Sequence, residues 1–186
     1  MTEEYLDICD AAGRPLGVTV PRDEAHRKGL WHRTVHVWIA NNSGMVLFQQ
    51  RAITKESFPG VWDVSAAGHI SAGEPELTAA QRELFQELGV KVAENELECL
   101  FTTQTSSVQQ NGSFLDNEFN SVYLVRKDIL HSELILETSE VSLAQFFPFQ
   151  KLSQLAENGD PDFAPHPEEY SRLFDHLLRI EQGLDR

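Results

Sequence analysis

Residues 68–90 run Gly-His-Ile-Ser-Ala-Gly-Glu-Pro-Glu-Leu-Thr-Ala-Ala-Gln-Arg-Glu-Leu-Phe-Gln-Glu-Leu-Gly-Val, and no other segment restricts the fold as tightly. A glycine-containing loop feeds a short helix. Pro75 suits the first helical position, where no amide hydrogen is needed, and Gly89 suits the left-handed residue that ends a helix. The helix is therefore about three turns long. Glu83 and Glu87 lie four apart with Gln86 beside them, so the side chains stand together with roughly 5–6 Å between Cβ atoms. Adjacent carboxylates repel unless a cation separates them, and hard oxygen ligands of this kind suit Mg²⁺ or Mn²⁺ completed by phosphate oxygens.

The segment resembles the Nudix box, G-x5-E-x7-R-E-U-x-E-E-x-G-U with U a bulky aliphatic residue. Gly68, Glu74, Arg82, Glu83, Leu84, Glu87, Gly89 and Val90 match in register, and Gln86 replaces the first Glu of the E-E pair. An ordinary amphipathic helix has no reason to fix Gly68 and Glu74 upstream as well. The resemblance implies a metal-dependent hydrolase of a small-molecule diphosphate. Glu83 and Glu87 would be the principal metal ligands, with the Gly68 carbonyl beside them. Arg82 would orient a box glutamate, and Glu74 would brace loop and helix. Gln86 can offer an amide oxygen but no charge, so weaker accessory-metal binding is expected, and it cannot act as a general base. Glu118 and Glu140 are both candidates for that role.

The resemblance extends outside the box. Glu24-Ala-His26, Trp31-His32-Arg33, the run from Gln50 to Asp63 and Asp116-Asn-Glu118 together resemble type I isopentenyl-diphosphate isomerases and their Nudix relatives. By that resemblance His26, His32, His69, Asp116 and Glu118 form a second, tightly held divalent-metal site, a donor set that suits Zn²⁺ or Mn²⁺. Arg51 and Lys55 match the isomerase residues that hold the diphosphate, and Arg22 aligns with another cation there. His36, alternating with Val35 and Val37, is expected on a polar strand face outside this set. Two departures favour hydrolysis over isomerisation. Ala67 stands where isomerases need a proton-exchanging cysteine, and the isomerase tryptophan that shelters the carbocation falls near Asp162. Three readings follow: a Nudix hydrolase acting on a nucleoside or isoprenoid diphosphate, an isopentenyl-diphosphate isomerase, and a non-catalytic nucleotide-binding domain.

Composition narrows the partners. The 186 residues, 41% hydrophobic, suffice for one core, so residues 1–186 are read as a single domain. A net charge of −14 repels a nucleic-acid backbone, so a polymer partner is not expected. No apolar run approaches the ~18 residues of a membrane span. The acidic N-terminus does not read as a signal peptide, and Cys9 and Cys99 are isolated, so a reducing, cytoplasmic location is expected. Monomer and homodimer remain open.

The remaining pattern is alternating strands with helices around them. Residues 6–20 read as a hairpin turning at 13–17. Runs 34–40 and 45–50 read as paired strands about the turn 41–44, and 61–67, 97–103 and 119–125 as further strands. A strand is expected after Glu140 as well. Residues 167–181 carry a broad apolar helical stripe, with a weaker helix at 150–157. The polar stretch 104–113 reads as a mobile loop at the substrate mouth. This order predicts an α/β Nudix fold, a mixed β-sheet sandwiched between α-helices.

Overall fold

The computed structural model describes residues 4–184. Residues 1–3 of the acidic N-terminal stretch read for targeting lie outside them. Hairpin strands β1 (Tyr5–Cys9) and β2 (Pro15–Pro21) form a small two-stranded sheet. The larger sheet comprises β3 (His32–Ala40), β4 (Met45–Arg51), β5 (Trp62–Asp63), β6 (Ala66–His69), β7 (Glu98–Gln109), β8 (Phe114–Arg126) and β9 (Val141–Pro148). Its main path runs β5-β4-β3-β8-β7, with β6 beside β3 and β9 beside β4. Only β3 and β8 pair in parallel, so the sheet is mixed, as expected. Helices α1 (Arg22–Lys28), α2 (Glu76–Leu88), α3 (Gln150–Asn158) and α4 (Pro167–Glu181) complete the fold. None of the described helices is long and apolar enough to cross a membrane.

Strand alternation explains the two layers. On β3 and β4, Val35, Val37, Ile39 and Leu47 point to one face and join Ala79, Ala80, Leu84 and Leu88 of α2 in one core. Trp38, Val46 and Phe48 point to the other face and pack with Leu152, Leu155, Tyr170, Leu173 and Leu177 of α3 and α4. Helix α2 ends as its sequence predicts, at Gly89 with φ 72°, whose amide bonds back to the last turn. Pro75 is the residue before the helix rather than its first member, a one-residue difference in the boundary.

Two expectations require correction. Residues 104–113 are mostly strand rather than loop, because β7 runs to Gln109 and pairs with β8 along its length. Its outward polar groups bond across the ladder, Thr105 to Asn120 at 3.0 Å and Ser106 to Asn117 at 2.6 Å, so polarity here reflects cross-strand pairing. Strands β3 and β4 pair antiparallel as expected, meeting at Ala40–Val46 next to their turn. Beyond it β6 takes the β3 edge, pairing Thr34 to Val37 with His69 to Ala66, β5 takes the matching edge of β4, and β9 pairs the other edge of β4 along its length. The single strand expected at 61–67 is split in two, and α1 was not expected. His36 lies on a strand among polar partners, as expected, and that position is buried.

Candidate functional site

The α2 carboxylates depend on a hydrogen-bonded frame set by the loop before them. Arg82 donates to both Glu74 oxygens, at 2.9 and 2.8 Å, and to the His69 carbonyl at 2.9 Å. Its remaining nitrogen reaches Glu83 and the Gln86 amide oxygen, the latter at 3.2 Å. The guanidinium fork thus ties β6, the loop and the helix together. Gly68 is needed beside them, since a β-carbon there would run into the Glu83 carboxylate. Glu87 accepts from the Ala67 amide at 3.1 Å and from Gln49 at 2.9 Å. Gln49 escaped the sequence reading because a polar residue in a core strand has no local motif. Burial raises the pKa of Glu83 to about 7 despite the neighbouring Arg82 charge. Burial, and then the charge of Glu83, raises Glu87 to about 8 although the Ala67 amide opposes this. Two buried carboxylates pushed upward together are an environment that a cation would relieve.

A second cluster assembles from three strands and α1. His26, His32, His69 and Glu118 each offer a ligand atom, and all four atoms lie within 4.8 Å of one another. Asp116 joins them, 3.3 Å from His26 Nε2 and 3.9 Å from His32 Nε2. Glu118 lies 3.6 Å from His32 Nε2 and 3.8 Å from His69 Nε2. Metal–nitrogen bonds of about 2.1 Å imply ligand separations of roughly 3 to 3.5 Å, so little contraction is required. The imidazoles are oriented from behind: His26 Nδ1 donates to the Arg22 carbonyl and His32 Nδ1 to the Leu30 carbonyl, both at 2.9 Å. Each bond leaves a bare Nε2 facing the cluster. His32 Nε2, His69 Nε2 and Asp116 Oδ1 are buried with no hydrogen-bond partner among the described residues. Such orphans are rare in folded proteins, and a divalent cation satisfies all three at once. Burial, reinforced by His32, pushes His69 well below the ordinary imidazole pKa, keeping it in its ligating form. Against its own burial, Glu118 is held below the usual carboxylate range chiefly by the neighbouring His32.

Both groups open on one cavity of about 1320 Å³. Glu83, Gln86, Glu87, Gly68, His26, His69, Asp116 and Glu118 line it, as do Arg22, Arg51, Lys55 and Glu140. His32 and Glu74 stand outside that lining and hold the residues that do. The three cations expected to clamp phosphate are already paired. Arg22 meets Glu56 at 2.8 Å, Arg51 meets Asp63 at 3.1 Å, and Lys55 bonds to Glu140. An incoming diphosphate must therefore compete with carboxylates for them.

A third polar group, which includes His36, Asp63 and His166 of the cavity lining, has no counterpart in the sequence reading. His36 Nδ1 pairs with Glu169 at 2.9 Å, and Trp38 donates to the other Glu169 oxygen at 2.7 Å. Burial disfavours a charged His36, but the Glu169 charge outweighs it and raises the pKa to about 9. His166 Nε2 lies 3.0 Å from Asp63 Oδ1. These partners are more than a hundred residues apart in the chain, so no spacing reveals them.

Gln86 is exposed at the cavity wall and accepts a hydrogen bond from Arg82. Replacing it by glutamate adds an anionic oxygen beside Glu83 and Glu87. Q86E is expected to lower severalfold the Mg²⁺ concentration for half-maximal rate, read by metal titration of phosphate release. An unchanged or higher requirement would assign Gln86 to substrate contact.

Comparison with known proteins agrees with this geometry. The chain is 42% identical over 182 residues to Nudix hydrolase 3 of Arabidopsis thaliana, covering 94% of this chain and 23% of that protein. It thus spans less than a quarter of that relative's length. It is 34% identical over 122 residues to an isopentenyl-diphosphate Delta-isomerase of Serratia proteamaculans, covering 66% of this chain and 65% of the relative. The crystal structure of DR0079 from Deinococcus radiodurans superposes with a TM-score of 0.70 at 23% identity, covering 91% of this chain and 98% of that one, a likeness of fold. With residues 30–169 matching the NUDIX domain model, a box helix that keeps all but one of its pattern residues, and the fold that this pattern implies, the chain belongs to the Nudix domain family.

Proposed function

We propose that this chain is a metal-dependent hydrolase that cleaves the diphosphate linkage of a small molecule, a nucleoside di- or triphosphate derivative or an isoprenoid diphosphate. The observation that carries this reading is the convergence of the buried Glu83 and Glu87 carboxylates with Arg22, Arg51 and Lys55 on one cavity. Mg²⁺ or Mn²⁺ held by Glu83 and Glu87, with Gly68 beside them, would neutralise charge developing on the phosphate oxygens. The chain's own groups do the rest. Arg82 and Glu74 fix the helix against the loop, and Gln49 and the Ala67 amide fix Glu87. Arg51 and Lys55 bind the diphosphate in exchange for Asp63 and Glu140. Drawing Lys55 to phosphate frees Glu140, and with Glu118 committed to the histidine cluster, Glu140 is the carboxylate left to orient the attacking water. The cluster of His26, His32, His69, Asp116 and Glu118 holds a second divalent ion. Residues 1–186 act as one domain, without a nucleic-acid or membrane partner, in the cytoplasm.

The histidine cluster and the isomerase-named relatives favour a second reading, isomerisation, which the methyl group of Ala67 opposes. General acid–base help is worth roughly 10²–10⁴-fold and needs a titratable group in reach. One experiment separates the readings. Protein with Mg²⁺ is incubated in deuterated water with a panel of nucleoside diphosphates, their derivatives and isopentenyl diphosphate. Cleavage of the diphosphate linkage in at least one member, read as free phosphate or as the phosphate monoesters it yields, with no carbon-bound deuterium in any isoprenoid product, is expected. Enzyme-dependent deuterated dimethylallyl diphosphate would overturn the hydrolase reading, and so would binding without turnover of every member.

A further inference from the structure

The cavity has two chemically distinct ends. The row His32, Thr34 and His36 along β3 spans about 13 Å at the strand rise. Beyond His36, away from the histidine cluster, the cavity is lined by Asp63, Pro165 and His166. The chain folds that way locally because residues 162–164 pair with β5. Trp62 donates to the Asp162 carbonyl at 2.7 Å, and Ala164 donates back to the Trp62 carbonyl at 2.8 Å. This registers His166, the residue before α4, over Asp63. The His166 ring packs edge-on to His36 at 5.1 Å.

Both Asp63 oxygens accept hydrogen bonds, and Oδ1 keeps those of Val64 and His166 when Arg51 turns to phosphate. Asp63 accepts from Arg51 at 3.1 Å, from the Val64 amide at 2.8 Å and from His166 Nε2 at 3.0 Å. The hydrogen bond to His166, with the nearby Arg51 and His36, holds its carboxyl far below the usual range although burial opposes this. An anionic Asp63 can only accept, so His166 carries its proton on Nε2. In the neutral ring Nδ1 is then a bare acceptor. That Nδ1 is buried and has no hydrogen-bond partner among the described residues. An alkyl group seated here would leave it so, whereas a hydroxyl or N–H would satisfy it.

We propose that His166, oriented by Asp63, is a specificity-determining residue that accepts a hydrogen bond from a donor on the group beyond the phosphate, so that this end of the cavity takes a hydroxyl- or N–H-bearing leaving group. This deepens the diphosphatase reading and rests on it for the placement of the phosphate. It assigns the function to a residue far from the box and selects the polar over the alkyl members of the substrate panel.

The test uses product-like ligands that require no turnover. Affinities of the four ribonucleoside monophosphates and of methyl phosphate, which has no donor beyond its phosphate, are measured by calorimetry in Mg²⁺. The wild-type protein is expected to bind at least one nucleotide about tenfold or more tighter than methyl phosphate, a difference one good hydrogen bond in a desolvated site supplies. H166F should reduce that ratio to within about twofold while methyl phosphate affinity stays unchanged. H166N, which keeps an acceptor near the Nδ1 position, should retain part of it. A merely structural histidine would weaken both ligands together. If H166F no longer binds methyl phosphate, H166A is read in its place. A wild-type protein that does not distinguish any nucleotide from methyl phosphate, or a phenylalanine or alanine variant with the full ratio, overturns the proposal. Failure of the hydrolase reading registers separately, as absence of both phosphate and phosphate-monoester products from the diphosphate panel.

Discussion

Glu87→Gln should lower kcat by at least ~10²-fold, the scale of losing a major electrostatic element of a site, and should not destabilise the metal-free protein. The helical spacing alone reads as an exposed acidic face, where such a change would be neutral. Here the residue is 5% exposed and its carboxylate is bound by Gln49 and Ala67. A glutamine of the same shape keeps an oxygen for those two donors. The pH dependence has a definite sign. Burial raises the folded pKa of Glu87 to about 8, above the unfolded value, so the folded state holds a proton that the unfolded state has released. The stability tied to that proton is fully present below the unfolded pKa and is lost as pH rises through about 8. Glutamine has no such loss. In EDTA, the variant should match wild type at acidic pH and exceed it at alkaline pH, by on the order of a few kcal/mol. Guanidinium melts at the two extremes, with turnover at saturating Mg²⁺, check both halves. Near-wild-type turnover would remove Glu87 from the metal site.

The second large effect concerns the histidine cluster. Freshly purified protein at a pH of about 8, above the imidazole range, should carry close to one equivalent of a transition metal per chain. His32→Ala should lose it. His32 is fully buried and contributes one of the three orphaned polar atoms. Acidification should release the ion. Imidazole must be neutral to ligate, and His32 is the vulnerable member because the Glu118 carboxylate, 3.6 Å from its Nε2, raises its pKa despite burial. His69 stays neutral. Apparent affinity should therefore fall on the order of tenfold per pH unit for each proton taken up, beginning at or above ~6.5. Elemental analysis across a pH series is the measurement. Substoichiometric metal near pH 8, together with full activity in the alanine variant, would reduce the cluster to structural polar groups.

What the sequence determined was local. Pro75 and Gly89 bracket a helix because their own backbone preferences do so, and Arg82, Glu83, Gln86 and Glu87 share its face because the helix repeat is fixed. Strand runs and the first hairpin are likewise short-range patterns, and resemblance to a family placed His26, His32, His69, Asp116 and Glu118 in one set that the fold does assemble. Tertiary structure decided what depends on chain segments meeting. Whether β3 continues beside β4 or beside β6 is a competition for one edge, and polar β7 becomes a strand only because β8 supplies its ladder. Burial of Glu83 and Glu87, which raises their pKa values, comes from the sheet they lean on rather than from their helix. The same holds for the carboxylate partners of Arg22, Arg51 and Lys55, and for the pairs His36–Glu169 and His166–Asp63. A side chain's charge state and available hydrogen-bonding atoms are set by its neighbours in space, which the order of residues along the chain does not encode locally.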